Sequence, residues 1–181
     1  MIAAALAAVW PAFGQAYRAQ AGGPPPAELA EPLRRALLPE GVQVVESRGF
    51  RFCELWLRNA PLESGPFEEA LRQDALPEGT LLGVIEFFAP SADRAGRGFP
   101  RGLYTLRFAG GDSLALIPAA ADQQLAPPED PAGLRKGLLR FARGSQGPAP
   151  RFQMSARGEW FLHARLGDTP IALLVAGVAS R

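Results

Sequence analysis

Turn residues punctuate this chain every several positions, and the apolar segments between them are short. Its 181 residues include 20 glycines and 18 prolines, and most apolar stretches alternate with polar residues at a period of two, the spacing of a strand rather than a helix. Val42 and Val44 alternate with polar neighbours, and a turn falls near Ser47–Gly49. Phe50, Phe52, Glu54 and Trp56 then alternate with Arg51, Cys53, Leu55 and Leu57, which predicts a hairpin. Gly79–Ala89 is β-branched and aromatic with one charge, Glu86, as a central strand would be. Leu103–Phe108 and Ser113–Ile117 predict a second hairpin across a Gly-Gly turn, with Pro100 setting φ and Gly102 taking a positive φ ahead of it. Three more strands are expected at Arg151–Ala156, Glu159–Leu166 and Thr169–Val178.

A parallel βαβ fold needs a helix between successive strands, and these segments lack one. The expected class is therefore mainly β: an antiparallel β-sandwich of about eight strands with two or three short peripheral helices. Leu29, Leu33 and Leu37 recur at helical spacing, with Pro32 near the helix start. Pro66–Leu76 has proline and acids at a helix N-terminus, and Ala132–Arg143 reads as a basic amphipathic helix weakened by Gly137.

The N-terminus carries an apolar run, Ile2–Trp10, followed by small residues suited to cleavage after Ala16 or Ala21. It reads as an export signal, although no basic residue precedes the run. The run is shorter than the roughly 20 residues that span a bilayer. Residues 1–21 are thus expected to be an export signal, or an anchor if retained, residues 22–27 a Pro/Gly linker, and residues 28–181 a single domain. The expected location is periplasmic or extracellular.

Charge and cysteine usage narrow the chemistry. The formal net charge is +1, which offers no overall field for nucleic acid or anionic lipid. Lys136 is the only lysine among 19 cationic residues, a bias that a GC-rich genome would produce. The lone cysteine, Cys53, excludes an internal disulfide and a multi-cysteine metal site, and its apolar strand suits a buried, inert thiol. No Gly-x-Ser-x-Gly elbow accompanies the only histidine, His163, and no phosphate-binding loop is present. The acids Asp122, Glu129 and Asp130 lack the alternation of a calcium loop. Glu54 and Glu86 each interrupt an apolar strand, so a hydrolase would use that pair, or His163 with Asp168. The expected protein has no catalytic residue, metal or cofactor.

"DRAGRGFPRGLYTLRF", preceded by "FCELWLRN" and followed by "LALIPAAAD", resembles a family of exported bacterial proteins of unknown function. The family element is Asp-x-Arg-Gly leading into Pro-x-Gly-x-Tyr-Thr-Leu-Arg, then a strand ending in Pro-Ala-Ala-Asp. The matching positions are Asp93, Gly96, Pro100, Gly102, Tyr104, Thr105, Leu106, Arg107 and Pro118 to Asp122. This chain departs from the pattern between Asp93 and Gly96, and the link between its two strands is reduced to "AGGD". The resemblance implies a β-sandwich and export, and supplies no activity.

The expected function is an exported, non-enzymatic binding or structural module of the cell envelope, with a protein, envelope component or glycan as partner and no nucleic acid. An auxiliary subunit of a membrane complex, held by an uncleaved N-terminus, is the alternative. Arg94, Arg97, Phe99, Arg101 and Tyr104 are the candidate contact residues, the arginines forming an anion-attracting rim. Exposed aromatics on one face, drawn from Trp56, Phe87, Phe99, Tyr104 and Trp160, would supply apolar contact.

Overall fold

The computed structural model describes residues 17–62, 69–70, 73, 75–93, 96–143, 150–154, 159–166 and 169–174, without the side chains at 141, 143, 154 and 166. The strands are β1 (Tyr17–Ala21), β2 (Val42–Glu46), β3 (Arg51–Leu57), β4 (Leu81–Phe87), β5 (Ser91–Ala92), β6 (Gly98–Phe99), β7 (Gly102–Phe108), β8 (Ser113–Pro118), β9 (Gly137–Arg143), β10 (Arg151–Met154), β11 (Trp160–Leu166) and β12 (Thr169–Leu174). Ten of them form one antiparallel sheet, ordered β1-β2-β3-β4-β7-β8-β9-β12-β11-β10, and β5 pairs with β6 as a separate small hairpin.

The chain is mainly β and antiparallel, as expected, but it is not an eight-stranded sandwich. The ten-stranded sheet curls on itself until its two edges meet. Tyr17 of β1 packs edge-on against Phe152 of β10 and Trp160 of β11, with ring centroids 5.8 and 5.4 Å apart. Side chains, rather than a ladder of hydrogen bonds, join β1 to β10. Twist and register shifts supply the curvature. One shift lies between Val44 and Val45 of β2, the other between Leu81 and Gly83 of β4. A Cβ on Gly83 would come 2.4 Å from the Trp56 carbonyl oxygen, so the second bulge requires glycine.

Two apolar clusters result. The inner one draws Leu55, Ile85, Leu106, Leu116, Leu139, Leu162 and Leu173 from strands all round the sheet. The outer one lies on the reverse face, where Leu29, Leu33 and Leu37 cover Trp56, Leu81 and Val84. Of those leucines only Leu33 lies in α1 (Glu31–Arg35), a single short turn with a proline in its first turn, while Leu37 forms a β-bridge with Arg58.

Three segments carry structure that the spacing does not predict. Tyr17–Ala21, within the expected signal, pairs with β2 over its whole length, from Tyr17↔Glu46 to Ala21↔Val42. The Pro/Gly segment after it is tied to the sheet through Gly22 and Gly23. Gly22 N–H donates to Gly41 O at 2.8 Å, Gly41 N–H to Gly23 O at 3.0 Å, and Gly23 N–H to Glu54 Oε1 at 2.6 Å.

The helix expected over Ala132–Arg143 is confined to α2 (Pro131–Leu134), and Gly137–Arg143 is strand β9. Its residues fill the gap between β8 and β12, pairing with both. Two sheet edges left with unpaired backbone groups outweigh a helix-compatible spacing of leucines. The expected helix over Pro66–Leu76 lies mostly outside the described residues. Within it Glu69 and Ala70 are helical, and Gln73 N–H donates to Glu69 O at 3.0 Å.

Candidate functional site: an arginine rim at the capped end

The β5–β6 hairpin lies across one end of the barrel-like sheet. Asp93, in its turn, is fully buried and accepts from Arg97 three times: from the backbone N–H at 2.9 Å, from Nε at 2.9 Å and from Nη2 at 2.7 Å. Gly96, at φ 77°, closes the turn by donating its N–H to Asp93 O. A Cβ on Gly137 would stand 3.0 Å from the Asp93 Cβ, so β9 passes directly behind this carboxylate. From the other side of the hairpin Phe99 reaches into the inner cluster, its ring 5.0 Å from Phe87 and 5.7 Å from Tyr104. The Tyr104 hydroxyl donates to Pro100 O at 2.8 Å, which fastens the hairpin to the start of β7.

Of the five candidate contact residues, Arg94 lies outside the described residues. Phe99 and Tyr104 are corrections: both are buried, and burial pushes the Tyr104 phenol above its ordinary pKa. Trp56, Phe87 and Trp160 are buried as well, so this set supplies no exposed aromatic face. A glycan-stacking platform built on these rings is therefore ruled out. Arg97 and Arg101 do reach solvent at the capped end, Arg97 with its inner edge on Asp93.

The topology brings further cations beside them. Gly102, next to Arg101, pairs with Phe87, and the following Phe88 donates its N–H to Phe52 O. Above Phe88 lies the Arg51 guanidinium, 4.0 Å from the ring centroid, a cation–π contact. Arg51 leads directly into the β2–β3 turn, which Glu46 and Phe50 close by backbone hydrogen bonding and Gly49 enables at φ 87°. Arg48 in that turn is exposed, and Phe50 at its closing end is 67% exposed. Tyr17 pairs with Glu46, so the chain enters the sheet at this same end, followed by exposed Arg18. Among the described residues the acids nearby are Asp93, already engaged, Glu46 and Glu159, both half-buried, and Glu86, half-buried and within the field of Arg51.

Sequence reasoning found Arg97 and Arg101 and missed Arg18, Arg48, Phe50 and Arg51. The signal was present in "ESRGFRF", where a turn glycine is flanked by arginines and a phenylalanine. A period-two reading assigns Phe50 to the buried face, because it cannot show that the strand starts one residue later.

The other carboxylates serve the fold. Glu54 and Glu86 are direct cross-strand partners, so they share the outer face. Glu54, however, is buried under the segment preceding α1 and gives its oxygens to Gly23 N–H and, at 3.0 Å, to Gln43 Nε2. Glu86 remains half-exposed beside it. Desolvation chiefly raises its pKa, the charges of Glu28 and Glu54 add to this, and Arg51 opposes it.

Asp122 is likewise committed. It takes a bidentate grip from the 1%-exposed Arg107 side chain, Nε at 2.6 Å and Nη2 at 2.7 Å, and a hydrogen bond from the Thr105 hydroxyl. Nη1 also donates to the carbonyls of Gly79 and Leu125, and Nη2 is shared with those of Gln124 and Ala126, at 2.6 to 3.1 Å. Asp130 receives Gly133 N–H at α2. Open hollows of about 590 and 480 Å³ flank this loop, and its prolines and alanines form much of their walls.

His163 is buried on β11 opposite Arg151, and desolvation, then that arginine, lowers its pKa; Asp168 lies outside the described residues. Cys53 is fully buried and its thiol is pushed up strongly by desolvation, as its apolar strand suggested. Among the described residues no group of three His, Cys, Asp or Glu could hold a metal ion, and no helix is long and apolar enough to cross a membrane. No family model, curated protein or solved structure matches the chain.

Proposed function

We propose that the chain is an exported, non-enzymatic binding module of the cell envelope, working in the periplasm or outside the cell through the arginine rim. The observation that carries this reading is Phe50, 67% exposed between Arg48 and Arg51 at the end of the sheet that also carries Arg101. An aromatic ring held in water by a hydrogen-bonded turn, with exposed guanidinium groups beside it, suits contact with another surface. The hydrolase reading is weaker, because Glu54 is tied to the backbone of Gly23 and has little freedom to exchange protons with a substrate. Membership of the exported family that the Asp93–Asp122 element resembles fits this reading. Each matched position with a polar side chain there finds a structural partner, as Asp93 does in Arg97 and Arg107 in Asp122.

Export is tested by expressing the full chain with a C-terminal tag and releasing the periplasm by osmotic shock. We expect the tagged protein in the released fraction or attached to envelope membranes. Retention in the cytosol would sink the reading. The alternative of a retained N-terminal anchor separates by mass, since cleavage after Ala16 leaves β1 intact whereas cleavage after Ala21 removes it.

A further inference from the structure

The geometry points to the arginine rim as a docking surface for an anionic lipid bilayer, and this rests on the envelope reading above. Arg18, Arg48, Arg51 and Arg101 are exposed around Phe50 and Phe88 at one end of the sheet. Against them stand three half-buried carboxylates, Glu46 at the base of the same turn, Glu86 within the field of Arg51, and Glu159 at the start of β11, while Asp93 is consumed by Arg97. Such a surface has the composition of an interfacial contact: cations that attract anionic headgroups, and an aromatic ring that settles at the headgroup boundary. Each basic side chain within a Debye length of an anionic leaflet adds attraction, so four together act far more strongly than the net charge of +1 suggests.

Where the chain enters gives the second, independent argument. Tyr17 pairs with Glu46 at the foot of the β2–β3 turn, so the described chain begins beside the rim. The apolar run Ile2–Trp10 stands six residues upstream, separated by Pro11–Ala16. Six residues reach at most about 20 Å when extended. If that run enters a bilayer, the rim is held within the same distance of the headgroups. A retained anchor and a basic aromatic end then address one surface, and after cleavage the rim alone provides reversible attachment.

The test is co-sedimentation of the purified full chain with vesicles. Neutral phosphatidylcholine vesicles measure whatever the apolar N-terminus contributes, and vesicles with about one-third phosphatidylglycerol add the charge. We expect binding to the anionic vesicles to be at least about tenfold tighter, and that excess to disappear at high salt. The triple variant Arg48→Glu, Arg51→Glu, Arg101→Glu should lose it. A charge-matched control away from the rim, Arg35→Glu, Arg140→Glu, Arg165→Glu, should keep most of it. Phe50→Ser should weaken anionic binding severalfold without changing the melting temperature, so that a folding defect cannot imitate the result.

Equal binding to the two vesicle types would overturn the inference, as would equal losses in the rim and control triples. So would a rim whose reversal abolishes capture of a protein partner while leaving vesicle binding untouched. Export without anionic binding removes only this inference, whereas cytosolic retention removes the envelope reading beneath it.

Discussion

Arginines in two regions of this molecule live under opposite physics. On the outer face Arg107 is sealed from water, and a carboxylate with four carbonyls takes up its donors. Next to it in charge, Arg58 has its pKa lowered by desolvation and then by Arg107, and it holds the carbonyls of Ala60 and Pro61. At the capped end Arg48, Arg51 and Arg101 are exposed. A buried guanidinium is tolerated only when nearly every donor is matched, and once matched it locks several chain segments together. An exposed one adds almost nothing to stability and is left available for a partner. The same side chain thus staples the loop after β8 to β7 in one place and offers a surface in the other.

Breaking the staple should have the largest effect. Asp122→Ala leaves Arg107 buried without its counter-charge and strands the Thr105 hydroxyl, and should cost about 3–5 kcal/mol. Urea denaturation measures it; a loss below about 1 kcal/mol would mean that water reaches Arg107 and the contrast is false.

Arg97 sits between the two classes. The sequence places it in an anion-attracting rim, but its head neutralises the wholly buried Asp93. Arg97→Ala should therefore cost about 1–3 kcal/mol, whereas Arg101→Ala should stay within about 0.5 kcal/mol of the parent. Indistinguishable melting temperatures for the two variants would place Arg97 back among the surface arginines.

The smallest effect belongs to Glu86. Its folded-state pKa is raised, so the folded protein favours the protonated carboxyl, and ionisation weakens the fold as pH climbs through and above the ordinary carboxylate range. Glu86→Gln should accordingly melt slightly higher than the parent at pH 7, with the difference fading below about pH 4. A variant that melts lower at neutral pH would show that Arg51 stabilises the carboxylate more than burial and its acidic neighbours oppose it.

Strand positions and the buried thiol were legible because they depend on local alternation. β3, β4, β7 and β8 fall within a residue or two of where the period of two places them. The segment of β9 was not, since its leucines suit either period and only β8 and β12 decide between them. β1 was hidden differently: "YRAQA" carries no strong strand signal and becomes a strand because β2 offers it a free edge. The rim was half legible. Arg97 and Arg101 are close in sequence, but Arg18, Arg48 and Arg51 join them only through the pairings of β1 with β2, β2 with β3, β3 with β4, and β4 with β7.

By itself the sequence determined a mainly antiparallel β chain with short helices, its turn positions and an inert cysteine, because each follows from residues a few positions apart. Tertiary structure decided that the sheet curls towards a barrel rather than splitting into two layers. It also decided which carboxylates are consumed as staples and which arginines remain in water. Those outcomes depend on the partner across a strand pair or beneath a loop, and a net charge of +1 carries no record of where on the surface its parts fall.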